Sequence, residues 1–332
     1  MSMNMSMNKS CGPEENVEAD QRSYGKTARA WVPSHITGFF AAHRKDDPRL
    51  SGSIGCGLCL SLGAATTITT TTTNTSITTT TNITANTIIG DDRHLGGLPD
   101  HEILLNGHPS PAPVSRFVVD KLAAGPVQVS TDLQMPFGSG FGASGAGALG
   151  AAYALNSLFD LGLTADQAAA VAHEAEVRNR TGLGDVIAQN AGGLVVRLQP
   201  GAPGTGRIDR IPVPPLPISF VVKGPISTKA VLSDETVMRD VNRAGVAALK
   251  DLLKRPTFLN FMLLSRRFTV QSGLASDWAL QAIEAVQSAG GLASMIMLGD
   301  AVFAWGGGSA QALQDFGEVH TTAISQRGAN LD

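Results

Sequence analysis

An α+β fold is predicted for this 332-residue chain, and three observations carry the prediction. Candidate strands lead into helices that come in pairs, not in strict alternation with strands, which argues against a purely parallel α/β sheet. A glycine-rich loop, Met135–Gly150, runs without a break into an alanine-rich helical stretch ending at Phe159. Three consecutive helices and an apolar hairpin then make up most of the C-terminal part.

Taken in order, residues 1–26 are polar, lack the apolar run of a secretory signal and read as a disordered extension. Ala28–Val32 reads as a strand ending at Pro33, with Ser34–Gly38 as the loop after it and Gly57–Leu62 as the next strand. The tract Thr66–Thr87 is almost all Thr, with Asn and Ile. Thr favours extended structure, but a repetitive tract specifies register poorly. It reads as a long hairpin or an unstructured insertion, with no chemistry of its own.

Val127–Leu133 is the strand that enters the glycine loop, and helices follow at Ala146–Phe159 and Thr164–Arg178. Thr164 with Gln167 three residues on forms a capping box. Gly192–Leu198 reads as a strand, Pro200–Pro217 as a Pro/Gly-rich connection, and Ile218–Lys223 as a further strand. A domain boundary is placed there, dividing residues 27–223 from 224–332. Helices are expected at Asp234–Lys254, Thr257–Ser272 and Ser276–Ser288. The hairpin Gly291–Leu298 with Ala301–Trp305 follows, then a short helix and a strand near Ser325.

The formal net charge of −3 gives no electrostatic footprint for nucleic acid or an anionic membrane. No apolar run approaches a membrane span in length. Cys56 and Cys59 have the spacing of a redox or zinc pair, but no second pair or His cluster completes it. Both thiols read as small core residues in a reducing cytoplasm.

The loop itself is built to hold phosphate. Glycine lets the backbone approach a ligand closely, and the N–H groups opening a helix form an anion site. Gly140, Gly142 and Gly145 satisfy the dinucleotide pattern G-x-G-x-x-G. A Rossmann unit, however, needs a strand after the helix that ends in an acidic residue, whereas Leu163–Ala168 opens a second helix. A Walker A loop needs Gly-Lys-Ser/Thr after its glycines, and none follows.

A third kind of phosphate loop matches. Pro136, Gly138, Gly140, Phe141, Gly142, Ala143, Ser144, Gly145 and Ala146 together resemble the motif of the GHMP kinases, usually Pro-x-x-x-Gly-Leu-Gly-Ser-Ser-Ala. Further segments resemble the archaeal pantoate kinase branch of that family: Ser34–Phe40, Gly182–Val186 ahead of Gly192 and Gly193, Ser272–Ser276, and Ala293–Gly299. The resemblance implies an N-terminal domain like ribosomal protein S5 domain 2, a ferredoxin-like C-terminal domain, and a site between them. It also implies ATP and Mg2+, pantoate as the small-molecule acceptor phosphorylated on its 4-hydroxyl for coenzyme A synthesis, and a homodimer. Mevalonate or homoserine as acceptor, and a non-catalytic nucleotide-binding protein, are the competing readings on the same scaffold.

The chain departs from the family at Ser34, where glycine is usual, and at Ala143, which replaces the first motif serine. Ile54 occupies a position that is basic in relatives, so the cation for an acceptor carboxylate must be sought elsewhere.

Roles follow residue by residue. N–H groups from Gly140 to Ala146 are expected to cradle the ATP phosphates. Ser144 offers a hydroxyl to Mg2+, or alternatively caps the helix. Glu174 and Glu176 lie two apart on a helix, so at most one faces the site; the family pattern favours Glu176, and a solvated helix face is the ordinary use of either. Asp185, between flexible glycines, is the expected base for the acceptor hydroxyl, or a helix cap. His35, Thr37 and Gly38 are expected at the substrate. Arg266 and Arg267 could grip a carboxylate as a fork or simply face solvent.

Overall fold

A computed structural model describes residues 25–71, 101–225 and 235–332. Two sheets organise it. The first is built from β1 (Thr27–His43), β2 (Gly52–Thr70), β3 (Glu102–Leu105), β4 (His108–Pro109), β5 (Val127–Leu133), β6 (Leu194–Gln199) and β7 (Arg207–Ile211). Its main path runs β4-β3-β5-β2-β1 and closes on a final strand, β12 (Asn330–Leu331), while β6 pairs with both β2 and β7. The second sheet has the order β11-β8-β10-β9, from β8 (Pro217–Pro225), β9 (Leu292–Met295), β10 (Gly299–Trp305) and β11 (His320–Ala323).

Helices α1 (Pro113–Leu122), α2 (Ala143–Phe159) and α3 (Ala165–Asn179) pack together, with α2 lying on β1 and β2. A short α4 (Asp185–Ala191) follows α3. Helix α5 (Glu235–Lys254) packs on β1, β2 and the next helix, α6 (Phe258–Ser272), while α6, α7 (Asp277–Ser288) and α8 (Ser309–Leu313) lie around the second sheet. Both α5 and α6 also contact β1, so the two sheets share one interior.

The alanines and glycines of α2 are buried on nearly every side, the pattern of a helix enclosed by the core. Small side chains let it lie close against the sheet, where Thr66 of β2 meets Gly150. That depth carries the start of α2 into the interior. Phe141, just ahead of it, is buried at 5.0 Å centroid distance from Phe220 of β8. Burial of such a ring stabilises by about 1.5–3 kcal/mol, and here it anchors the glycine loop to the second sheet.

Several expectations hold closely. β5 spans the expected residues, and α3 opens on Thr164 with both bonds of the capping box present. Thr257 and Ser276 cap α6 and α7 through their side chains.

Others are corrected. Ser34–Gly38 is not a loop: it lies within β1, which stays paired to β2 across two register shifts, at Pro33/Ser34 and Thr37/Phe39. Proline has no N–H for the ladder, so a bulge absorbs the interruption and the strand continues. The first threonines of the repetitive tract, Thr66–Thr70, belong to β2 and pair with β5; Thr66 and Thr131 hydroxyls lie 3.1 Å apart. The rest of that tract from residue 72, like residues 1–24, lies outside the described residues. β8, expected before the domain boundary, belongs to the second sheet, so the chain changes sheets between Ile211 and Pro217. The sequence reading also passed over α1, β3 and β4. Among the described residues no helix is long and apolar enough to cross a membrane.

Candidate functional site

A cavity of about 310 Å³ opens between the glycine loop, β1, the α3–α4 connection and the β9–β10 turn. Gly138, Gly140 to Ser144, Thr37, Glu176, Thr181 to Asp185, and Arg197 all line it.

Gly142 is the N-cap of α2 with φ of 66°, a left-handed conformation that suits glycine. A Cβ there would lie 3.1 Å from the Cβ of Asp185. Loop and acid therefore touch, and the absent side chain makes the approach possible. The loop's carbonyls point inward: Phe141 accepts the His35 N–H at 3.0 Å, and Gly142 accepts Gln189 Nε2 at 2.9 Å.

Ser144 lies inside the first turn of α2, so it is not the N-cap. Helix α2 begins at Ala143, earlier than the expected Ala146. The Ser144 hydroxyl donates to Glu176 Oε1 at 2.6 Å, and Thr181 Oγ1 donates to the same oxygen at 2.8 Å. Burial pushes the Glu176 carboxyl up to about 7; the Asp185 charge adds to the rise, while the two hydroxyls oppose it. Gly182 faces this pair: a Cβ there would collide with Glu176 Oε2 and lie 3.3 Å from Asp185 Oδ2. Two carboxylates thus converge over a residue without a side chain.

Glu174 takes no part. It accepts from Lys121 and Arg178, each at 2.8 Å. Burial works to raise its carboxyl, but those two cations hold it below its usual range.

Asp185 is the first residue of α4, with Gly184 as the cap, so helix capping is not its role. Its Oδ1 lies 2.7 Å from His35 Nδ1. His35 is fully buried, and burial lowers its pKa although Asp185 works to raise it. Its Nε2 accepts from Arg197 Nη1 at 3.5 Å. A neutral ring with its proton on Nδ1 satisfies both neighbours.

Arg197 sits on β6, almost completely buried, and its Nε has no partner in the protein. Burial lowers its pKa and Asp185 works against that. A guanidinium at the wall of a cavity is suited to an anionic ligand. The sequence reading missed it. The available signal was one charge within an otherwise apolar strand, Leu194–Leu198.

The other expected site residues fall as follows. Thr37 lines the cavity, but His35 stands behind Asp185 and does not face the opening. Gly38 is turned the other way, where a Cβ would collide with Ser265 of α6. Pro136, Gly145 and Ala146 support the loop without lining the cavity, and the Ala146 N–H makes the first bond of α2 to Gly142. Arg266 and Arg267 border a separate shallow depression, with Arg267 bound to Asp251 at 2.7 Å. Cys56 and Cys59 are free and buried, and burial raises the Cys56 thiol to about 12. They are core residues.

Comparison with known proteins adds a second line of observation. Residues 113–193 match the family model described as the GHMP kinases N terminal domain. The chain is 37% identical over 287 residues to a pantoate kinase of Thermococcus kodakarensis, covering 83% of this chain and 86% of that one. Among solved structures, a phosphotransferase related to the CoA biosynthesis pathway superposes with a TM-score of 0.77 at 32% identity, covering 92% of this chain and 98% of that chain. A homoserine kinase from Cytophaga hutchinsonii superposes at 0.62 with 15% identity, covering 94% and 99%, a likeness of fold.

Proposed function

This chain belongs to the GHMP kinase superfamily, as a homologue of the archaeal pantoate kinases, and on that premise we propose that it phosphorylates the 4-hydroxyl of pantoate with ATP. The product, 4-phosphopantoate, would feed coenzyme A synthesis. One observation carries the reading. The Asp185 carboxylate, the Ser144–Glu176 pair and the Arg197 guanidinium line one cavity at the N-terminus of α2.

Phosphoryl transfer asks a protein mainly for positioning and charge stabilisation. The unpaired N–H groups of the α2 first turn suit the ATP phosphates. Ser144 Oγ and the Glu176 carboxylate suit Mg2+, an ion that takes few protein oxygens and keeps several waters. No cluster of three or more His, Cys, Asp or Glu side chains suited to a metal occurs among the described residues. Bound there, Mg2+ would neutralise charge on the phosphates. Arg197, a buried cation that lines the cavity, suits the acceptor's carboxylate. Asp185 then takes the proton from the acceptor hydroxyl as that oxygen attacks the terminal phosphorus and the bond to the departing ADP breaks, while the buried His35 N–H keeps the carboxylate aimed.

Incubation with Mg-ATP and separate pantoate, mevalonate and homoserine, read by ADP release, tests the proposal. Turnover with pantoate is expected. Silence with pantoate but turnover with another acceptor would end the specific claim. Nucleotide binding without turnover of any acceptor would support the non-catalytic reading.

A further inference from the structure

Gln189 is fully buried one helical turn after Asp185, and nothing in the chemistry above uses it. Residues four apart on a helix share a face, so both side chains leave α4 toward the glycine loop. The Nε2 of Gln189 donates to the Gly142 carbonyl at 2.9 Å. The same carbonyl accepts the Ala146 N–H at 2.9 Å, the first hydrogen bond of α2. A Cβ on Gly142 would lie 2.9 Å from Nε2, and one on Gly145 3.1 Å from Oε1. The amide therefore lies along the opening turn of α2.

Its Oε1 has no partner in the protein. An unpaired buried amide oxygen is a cost, so an apolar side chain of similar volume would serve packing better. Turning the amide over would set Oε1 against the Gly142 carbonyl, which fixes the orientation. The main chain is held as well, since the Gln189 carbonyl accepts the Ala329 N–H at 2.9 Å.

We propose that Gln189 is a positioning residue for phosphoryl transfer, tying the phosphate-holding end of α2 to the helix that carries Asp185. The inference rests on the kinase reading. With this tie, the separation between base and phosphorus is set by one turn of α4 and not by a pliable glycine loop.

Two variants test it. Gln189→Met keeps the volume and removes the donor. Gln189→Glu donates to Gly142 only when its carboxyl is protonated. In Gln189→Met, kcat is expected to fall about 10- to 100-fold, the effect of a misplacement of about 1 Å, while the directly titrated nucleotide Kd changes by less than about threefold. A merely structural role would lower the melting temperature and leave kcat per folded molecule intact, which would overturn the proposal. In Gln189→Glu the ratio of variant to parent kcat is expected to rise as pH is lowered; a flat ratio overturns the proposal too, and decides the matter if Gln189→Met does not fold.

Hydrogen exchange reads the tie without turnover. The Ala146 amide, which donates to the same Gly142 carbonyl, should exchange about tenfold faster in the folded variant, with α3 unchanged. Unaltered exchange sinks the inference whatever the parent's activity. A loosened loop in a parent that turns over no acceptor supports the tie and sinks the kinase reading alone.

Discussion

His35 Nδ1 and Asp185 Oδ1 lie 2.7 Å apart across 150 residues of sequence. The imidazole is sealed from solvent, while the carboxylate is 23% exposed and faces the cavity. In the proposed reaction the buried ring orients and the exposed carboxylate reacts. Asp185→Asn should lower kcat by about 10²- to 10⁴-fold, the usual contribution of a general base, with ATP binding retained by direct titration. His35→Leu should cost less, about 10-fold or more in kcat, and His35→Asn, which restores a donor, should recover part of the loss in steady-state assays. Equal losses in Leu and Asn variants would show that the donor is not what matters.

Glu176 links the site to stability. Its folded-state pKa of about 7 stands above the ordinary 4.5. The stability it contributes is full below pH 4.5 and is lost as pH rises through about 7. His35 and His173 run the other way. Burial lowers both from 6.5, so their contribution is present above pH 6.5 and is lost as pH falls. Glu176→Gln removes only the first effect. In metal-free thermal melts the variant should be more stable than the parent at pH 8, by up to about 3 kcal/mol, and the gap should close toward pH 4.5. Turnover should fall at every pH. A gap that does not vary with pH would mean Glu176 is not held protonated by burial.

Glu174 provides the contrast on the same helix. It is bound to Lys121 and Arg178 and faces away from the cavity. Glu174→Gln should leave kcat/KM within about twofold, and cost on the order of 1 kcal/mol in denaturant unfolding, as for a partly exposed ion pair. A large loss of turnover would mean the two glutamates share the work.

Arg197 is the cation proposed for the acceptor's carboxylate. Arg197→Lys keeps the charge but loses the planar fork. The acceptor KM should rise by about tenfold or more while the ATP KM stays within about twofold. A change confined to the ATP KM would move Arg197 to the nucleotide.

The glycine loop and the acid between glycines were legible because backbone freedom and short acids are local signals: Gly142, Gly182 and Asp185 could be picked from the residues around them. The choice between Glu174 and Glu176 was only half legible. Spacing excluded both facing the site, but Lys121, which occupies Glu174, is contributed by α1, a helix the sequence reading passed over. His35 was placed at the substrate and stands behind Asp185 because β1 continues through bulges, and no local pattern announces a bulge that long-range pairing with β2 enforces. Arg197 and Gln189 were illegible for a similar reason. Each is a polar residue within an apolar element, and its meaning comes from partners far away in sequence: His35 for Arg197, Gly142 for Gln189.

The pairing of Asn330 and Leu331 with Trp31 and Ala30 sets an order of events at the ribosome. Synthesis proceeds at about 5–20 residues per second, so the outer edge of β1 is made long before its neighbour emerges from the exit tunnel. Until then the Ala30–Trp31 stretch of that edge stays open, the condition in which strands recruit foreign chains. Chains released without residues 330–331 should therefore aggregate or hold a chaperone more than the whole chain does.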